Sequence, residues 1–413
     1  SLTSTMRQMV ILLVALIWLG IASPAENQPE IGILNLEVAG RIADEYLVLL
    51  REPNTDLDKA EYVDDFVAKL KTISDEIRVI KKLVTLKSPV LLIKVSDENI
   101  VEEVLKLPEV KAIEVNAANV KPQQCTTQTT SPYYWGLTRM YEYGYSLPPF
   151  STSVHATMGG IGMRVYILDS GIHSAHSYLE GRVKFGVDLT NEGQGDFNGH
   201  GTHIAGTVIG NDCGVARKAT AVDVKILNRD NYSTTAMLVE GIDFVIADLQ
   251  RHRAARGVIL IALTAAASTV IDNAIEDATD AEIPVVVAAG NDDADACLYS
   301  PARSSAAITV GATSWLTLAP YSNWGSCVDI LAHGDEVVSA DTNCDSCLLL
   351  RSGTSSAAAH TAGVAALYLA RQQHRTVAEV KEYILETNSQ MGYVDLQGKP
   401  STRNSLLNER CNI

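Results

Sequence analysis

The chain has 413 residues, of which 46% are hydrophobic, so it can bury a substantial core and is longer than one ordinary domain. We therefore expect two domains, one small and one large. The formal net charge of −16 and the pI of about 5.0 argue against nucleic acid as a partner.

The N-terminal segment 6–25 has the features of a secretory signal peptide, whereas residues 1–5 have no evident role. Met6 and Arg7 precede an apolar run at 10–22, which is too short to span a membrane, and the small residues at 23–25 offer a cleavage site. No later run reaches membrane-spanning length. The sequence predicts a secreted, extracellular protein without a membrane span.

The segment 44–115 predicts a small α+β unit. Apolar runs predict strands at 45–50, 90–95 and 110–115, and a further strand near 79–84 would complete the ferredoxin-like order β-α-β-β-α-β. The first helix is predicted from apolar residues at helical spacing: Val63, Phe66, Val67 and Leu70. The second helix is expected to begin at a Ser96 cap and to end before Pro108.

The polar segment 119–132 lacks apolar periodicity and reads as a linker. Beyond it, strands are predicted at 164–168, 222–227, 258–263, 284–288 and 308–311. One helix is predicted at 376–385. Four others are predicted to follow His200, Thr234, Val270 and Ser355. This alternation predicts an α/β fold with a doubly wound, mostly parallel sheet that is covered on both faces.

Residues 351–363 predict a tight turn that leads into an alanine-rich helix with Ser355 at its start. A serine at a helix N-terminus lies among backbone N–H groups that suit a developing oxyanion. It could act as a nucleophile if a base and an orienting group lie nearby. Taken alone, Ser355 reads as a helix cap.

Two further segments favour a nucleophilic role for Ser355 over a role as a helix cap. Asp169 ends an apolar run at the carboxyl edge of a predicted strand, where α/β sheets carry their sites, and His200 opens a helix. Asp169 could be part of an ordinary turn, and His200 and His203 could be metal ligands one turn apart, although no third ligand lies nearby in the sequence. The order Asp, His, Ser is the order of the subtilisin triad.

The segments 163–171, 198–207 and 351–363 resemble the signatures of the subtilase (peptidase S8) family. Segment 285–291 resembles the family segment whose asparagine, here Asn291, completes the oxyanion hole. The resemblance implies a subtilisin-like fold, an Asp169–His200–Ser355 triad, protein or peptide substrates and no required cofactor. The segments 295–302, 308–313, 325–329 and 344–360 resemble the proteinase K-type branch, and most of all the type 9 proprotein convertases.

The resemblance also implies an inhibitor I9-type propeptide at 30–122 and a catalytic domain at 125–413. Such a propeptide would lead its final strand into the active site and inhibit the enzyme intramolecularly. The linker contains no dibasic pair, so we expect self-cleavage between Lys121 and Thr127 rather than cutting by a basic-site convertase.

Seven cysteines behind a predicted signal peptide suggest disulfides. By the resemblance, two pairs are expected, Cys297 with Cys327 and Cys344 with Cys347. The remaining three cannot all pair with one another, so at least one is free or intermolecular: Cys125, Cys213 and Cys411.

Asn231 begins the only strict glycosylation sequon. The resemblance implies that a glycan on Asn231 would obstruct substrate binding, so we expect this residue to be only partly glycosylated. Proteinase K-like enzymes also bind structural calcium near the positions of Ser305, Ala307 and Asp329. The resemblance allows a calcium site there, although only Asp329 brings a charge.

The segment 263–268 departs from the family, because relatives have a glycine-rich wall there for the residue before the scissile bond. Here the wall has Ala265, Ala266 and Ala267, whose methyl groups would narrow the pocket and would be strained at any positive φ.

Two functions remain open at this point. The first is a secreted serine endopeptidase that is made as a self-cleaving zymogen. The second is a self-processed protein that keeps its propeptide bound, as type 9 convertases do, and acts by binding a partner. The large C-terminal Cys/His-rich extension of those convertases is absent from this sequence, which favours the first.

Overall fold

The computed structural model describes residues 33, 41–53, 58–117, 121–122, 125–126, 159–252, 256–371, 376–399 and 401–408. The predicted signal peptide and most of the predicted linker lie outside the described residues. Among the described residues, no helix is long and apolar enough to cross a membrane.

The N-terminal domain has the predicted ferredoxin-like order. Its elements are β1 (Arg41–Leu50), α1 (Lys59–Ile73), β2 (Arg78–Leu83), β3 (Val90–Lys94), α2 (Glu98–Leu105) and β4 (Val110–Ala117). The strands form an antiparallel sheet in the order β2-β3-β1-β4. Apolar side chains of both helices and of one sheet face share a core, among them Tyr46, Val48, Phe66 and Val104.

The predicted Ser96 cap is wrong by one residue. Asp97 caps α2, because its Oδ1 accepts a hydrogen bond from the Asn99 N–H at 2.9 Å. The helix ends at Leu105, before Pro108, as predicted.

Two short strands follow, β5 (Lys121–Pro122) and β6 (Cys125–Thr126), and the C-terminal domain begins at residue 159 in the described chain. Its strands are β7 (Met163–Asp169), β8 (Val183–Asp188), β9 (Thr220–Lys225), β10 (Arg256–Ile261), β11 (Leu263–Ala266), β12 (Val285–Ala288), β13 (Tyr299–Ser300), β14 (Ile308–Ser314), β15 (Thr317–Leu318), β16 (Ile330–His333), β17 (Val337–Ala340), β18 (Leu348–Ser352), β19 (Ser389–Met391) and β20 (Ser405–Leu407). Its α-helices are α3 (His200–Ile209), α4 (Thr235–Arg251), α5 (Thr269–Asp280), α6 (Thr354–Arg371) and α7 (Val377–Glu382).

The central sheet has the order β19-β20-β16-β14-β12-β10-β7-β9-β8, and its pairs from β20 to β8 are parallel. Alternate residues of one strand enter different cores, because side chains alternate across a sheet. Val165 and Ile167 of β7 pack with α3 and α6, whereas Tyr166 and Leu168 pack with α4 and α5. The predicted doubly wound α/β fold is confirmed.

Every strand predicted for this domain is present, and the run predicted at 258–263 divides into two strands. It leaves the central sheet after Ile261, and β11 then pairs antiparallel with β5 and β13. The hairpin of β17 and β18 was not predicted, and it pairs with β6. Both short segments of the linker are therefore strands against the C-terminal domain.

Candidate active site

Asp169 and His200 form a buried pair at the carboxyl end of β7. His200 Nδ1 lies 2.7 Å from both carboxylate oxygens of Asp169, and each side chain is 1% exposed. Nδ1 therefore carries the proton that it donates to the carboxylate, which leaves Nε2 as the basic nitrogen. Nε2 is buried and has no hydrogen-bond partner among the described residues.

The glycine after His200 allows this pairing. A Cβ on Gly201 would lie 2.1 Å from the Gly171 carbonyl oxygen and 3.2 Å from the Asp169 side chain. Any larger residue would push the start of α3 away from the end of β7.

The segment before His200 is held by Asp196, a residue that the sequence reading missed. Its carboxylate accepts hydrogen bonds from the Gly199 N–H at 2.7 Å, from both donors of Thr202, and from Ser170 Oγ at 2.8 Å. An aspartate four residues before a predicted helix start was the available signal, since such side chains commonly bind the orphan N–H groups there.

Ser355 lies at the start of α6, which is almost wholly buried among small residues. Its Oγ donates a hydrogen bond to the Ala262 carbonyl oxygen at 2.8 Å. Ala262 occupies the gap between β10 and β11, so the departure of the chain from the central sheet supplies this acceptor.

Asn291 is oriented by Thr354, the residue next to Ser355. Its Oδ1 accepts from the Thr354 N–H at 2.9 Å and from Thr354 Oγ1 at 2.8 Å. The amide nitrogen is consequently turned the other way, and Nδ2 is buried without a partner among the described residues. Gly290 has φ +107° and no space for a Cβ against Asn323, so this turn requires glycine. The site thus contains a buried N–H donor, Asn291 Nδ2, that has no acceptor among the described residues.

His203 lies one helical turn after His200, and its side chain faces two backbone carbonyl oxygens. Its Nε2 lies 3.0 Å from the Val337 carbonyl oxygen and 3.1 Å from that of Leu349, and burial lowers its pKa well below the usual value. No group of three or more His, Cys, Asp or Glu side chains that could hold a metal occurs in the part of the chain that the structure describes.

A sequence profile of the subtilase family matches residues 160–406, which is more than half of the chain. The chain belongs to the subtilase family. The extracellular serine proteinase of a Thermus species is 34% identical over 377 residues, covering 88% of this subtilase and 89% of that protein. The subtilisin-like proteinase Spm1 of Pyricularia oryzae is 35% identical over 311 residues, covering 70% of this chain and 57% of that protein.

A second fungal relative, subtilisin-like protease 1 of Pseudogymnoascus destructans, is 39% identical over 273 residues and is covered to 66% of its length. The chain thus spans less than two thirds of these two fungal proteins. The crystal structure of a cold adapted subtilisin-like serine proteinase superposes with a TM-score of 0.61 at 34% identity, and the match covers 66% of this chain and 97% of that one.

The three alanines of the predicted pocket wall lie at and just after the end of β11. In this subtilase, Leu263 and Thr264 pair with Pro122 and Lys121, and Ala265 pairs with Ser300. None of the three alanines has a positive φ, so the expected backbone strain is absent. Their role in substrate binding stays a prediction.

Both predicted disulfides are present in this subtilase. Cys297 pairs with Cys327, and Cys344 pairs with Cys347. Cys213 is free and buried against the Gly206 carbonyl oxygen, and burial raises the pKa of its thiol to about 11. Cys411 lies outside the described residues.

The two remaining predicted sites also lie in the subtilase domain. Asn231 lies in the turn between β9 and α4 with φ +63°, and its glycosylation stays a prediction. At the positions where the resemblance allows a calcium site, Lys381 Nζ donates hydrogen bonds to the carbonyl oxygens of Ser305 and Ala307 and to the carboxylate of Asp329. Calcium binding there stays a prediction.

Proposed function

We propose that this subtilase is a secreted serine endopeptidase that is made as a self-cleaving zymogen. The observation that carries the proposal is the buried Asp169–His200 pair with an unpartnered Nε2 at the start of α3, which packs against α6, the helix that has Ser355 in its first turn. Secretion is supported by the N-terminal apolar run and two disulfides, which persist in oxidising compartments.

In the proposed reaction, the Ser355 hydroxyl turns from the Ala262 carbonyl toward His200 Nε2 and gives it a proton as Oγ attacks the scissile carbonyl carbon. Asp169 stabilises the imidazolium. His200 then protonates the leaving amine, and the acyl-enzyme is hydrolysed by water in the same way. The Asn291 Nδ2 donor and the Ser355 backbone N–H would hold the oxyanion, where one such donor is worth about 10²–10³ in rate.

We infer that substrates bind as an added strand on β11. The pairing of β5 with β11 is an example of this mode within the chain itself. A peptide in that position forms main-chain hydrogen bonds irrespective of its side chains, which suits an enzyme that cuts proteins.

The same pairings support a cleavage point. β5 pairs with β11, which follows Ala262, whereas β6 pairs with Arg351 and Ser352, just before Ser355. Only two residues, 123 and 124, separate β5 from β6. We therefore propose that Ser355 cuts its own chain between Pro122 and Cys125, within the interval expected from the sequence.

A second candidate function is favoured by the contact between the two domains. Leu47, Leu49 and Leu92 of the N-terminal sheet share a core with α4 and α5. Two buried side chains of β4 also bind helix N-termini, since Glu114 accepts from the Val270 N–H and Asn116 from the Ala236 N–H, each at 3.2 Å. An interface of this kind would suit a propeptide that remains bound after cleavage and leaves a binding protein with little activity.

One experiment separates the two candidates. The purified secreted protein is treated with a fluorophosphonate probe and assayed on an unfolded protein substrate, and size-exclusion chromatography reports whether the N-terminal domain stays bound. Labelling at Ser355 with hydrolysis of the substrate is expected for the endopeptidase, and Ser355→Ala is the control. A stable complex that neither labels nor hydrolyses would favour the binding protein.

A further inference from the structure

Three oxygen atoms converge on the ammonium group of Lys381. Lys381 Nζ donates to the carbonyl oxygens of Ser305 at 3.0 Å and Ala307 at 2.7 Å, and to Asp329 Oδ2 at 3.2 Å. We call these three acceptors the oxygen cluster. An ammonium group has three N–H donors, so each proton of Lys381 has one acceptor in the cluster.

Both partners are fixed before they meet. Asp329 is held at the start of β16, where its N–H donates to the Thr309 carbonyl and its Oδ2 accepts from the Thr309 N–H, each at 3.0 Å. Lys381 lies in the last turn of α7, whose Val380 is fully buried in the core and whose first turn is closed by a capping box. The packing of α7 therefore fixes the position of the ammonium group at the oxygen cluster.

The same oxygen types are calcium ligands, but the cluster does not fit calcium while Lys381 is present. Calcium takes six to eight oxygens at about 2.3–2.6 Å, and a cation already lies among these three. Asp329 is the only carboxylate of the cluster, so one positive charge balances it. A divalent ion beside the ammonium would leave excess positive charge in a site whose side chains are only 25% exposed.

We propose that Lys381 is a tethered cation that replaces calcium at the oxygen cluster, so that the stability of this domain does not depend on calcium there. The ammonium joins α7 to the connection before β14 and to the start of β16. Removal of the lysine side chain would expose one carboxylate and two carbonyl oxygens in a preformed arrangement, and would convert the cluster into a divalent cation site. This inference goes beyond the proposed function and does not depend on it.

The test compares thermal unfolding of the whole protein in chelator and in excess calcium, with a covalent serine inhibitor present to prevent autolysis. The wild-type Tm should be the same in both. In chelator, Lys381→Ala should lower Tm by about 4–8 °C, because charge-assisted hydrogen bonds are lost in a domain of this size. Excess calcium should recover at least half of that loss, since a ligand that binds only the folded state stabilises it.

Lys399→Ala is the matched control. Lys399 has the same 25% side-chain exposure as Lys381 and pairs with one carboxylate, that of Asp293. Its variant should show no response to calcium, and the double variant with Lys381→Ala and Asp329→Asn should lose the response. Magnesium should rescue less than calcium, because it requires a near-ideal octahedral site.

Two results would overturn the proposal. A wild-type Tm that falls in chelator, with the fall abolished by Asp329→Asn, would mean that calcium binds the oxygen cluster despite Lys381. A Lys381→Ala protein that is destabilised but does not respond to calcium would show that Lys381 forms an ordinary ion pair rather than filling a cation site.

Discussion

The proposed role of Asn291 makes a quantitative prediction. Asn291→Ala removes the buried Nδ2 donor and should lower kcat by about 10²–10³-fold, which corresponds to about 2.7–4 kcal/mol of transition-state stabilisation. The loss of Nδ2 breaks no hydrogen bond among the described residues, whereas the loss of Oδ1 in the same variant removes the acceptor of the Thr354 N–H and Oγ1. KM should therefore change little, because the donor acts only on the oxyanion.

Two further variants separate the donor from the acceptor side of the same amide. Asn291→Asp keeps an oxygen for the two Thr354 donors but replaces Nδ2 by an oxygen, so it should lose at least as much activity as Asn291→Ala. Thr354→Val keeps the backbone donor to Asn291 but removes both hydrogen bonds of Oγ1, the one donated to Asn291 and the one accepted from the Gly290 N–H. At about 1 kcal/mol for each neutral hydrogen bond, the loss should not exceed roughly 30-fold in rate.

The assay is initial-rate kinetics on a short chromogenic peptide with alanine before the scissile bond, corrected by active-site titration. Thermal melts of the inhibited proteins check that each variant is folded. An Asn291→Ala enzyme that keeps kcat within a few-fold of wild type, or that loses activity only through KM, would refute the oxyanion role.

Three more predictions concern the disulfide, the pocket wall and pH. Cys297→Ser and Cys327→Ser should each lower unfolding stability by about 3–4 kcal/mol, because the bond closes a loop with a sequence separation of 30, and additive losses in the double variant would contradict the pairing. Replacement of Ala265, Ala266 and Ala267 by glycine should raise activity on phenylalanine peptides more than on alanine peptides, by about 1–3 kcal/mol per relieved misfit, and an unchanged ratio would contradict the wall assignment. Burial raises the pKa of Asp223 to about 7, so the folded protein holds a proton there that the unfolded chain loses near about pH 4, and stability falls as the pH rises between these values. Asp223→Asn should therefore raise Tm above about pH 7 and give no such gain below about pH 4, and an equal gain at both would show that the charge is not the cause.

Much of the fold followed from the sequence because its signals are local. The buried, partly β-branched run of β7 predicts a strand of a doubly wound sheet, and the apolar residues of α1 recur at helical spacing. The β17–β18 hairpin and the short strands β19 and β20 were missed, since their few residues acquire strand geometry only from their partners. The Asp97 cap differed by one residue because Ser96 and Asp97 are both good cap residues.

The same distinction between local signals and long-range contacts applies to the candidate active site. Asp169, His200, Ser355 and Asn291 lie in recognisable segments, whereas the supporting contacts join residues that are far apart in the sequence. Thr354 orients an amide 63 residues away, and Lys381 reaches a carboxylate 52 residues away. No spacing rule links such pairs, and charge alone could not distinguish a bound calcium from a tethered ammonium.

The central claim is that Ser355 cuts its own chain before it acts on other proteins. The most direct measurement is the intact mass and N-terminal sequence of the purified protein, compared between wild type and Ser355→Ala. We predict that the wild type is cut between Pro122 and Cys125 and that Ser355→Ala is recovered with this bond region intact. Cleavage of Ser355→Ala at the same bond and to the same extent would contradict the claim.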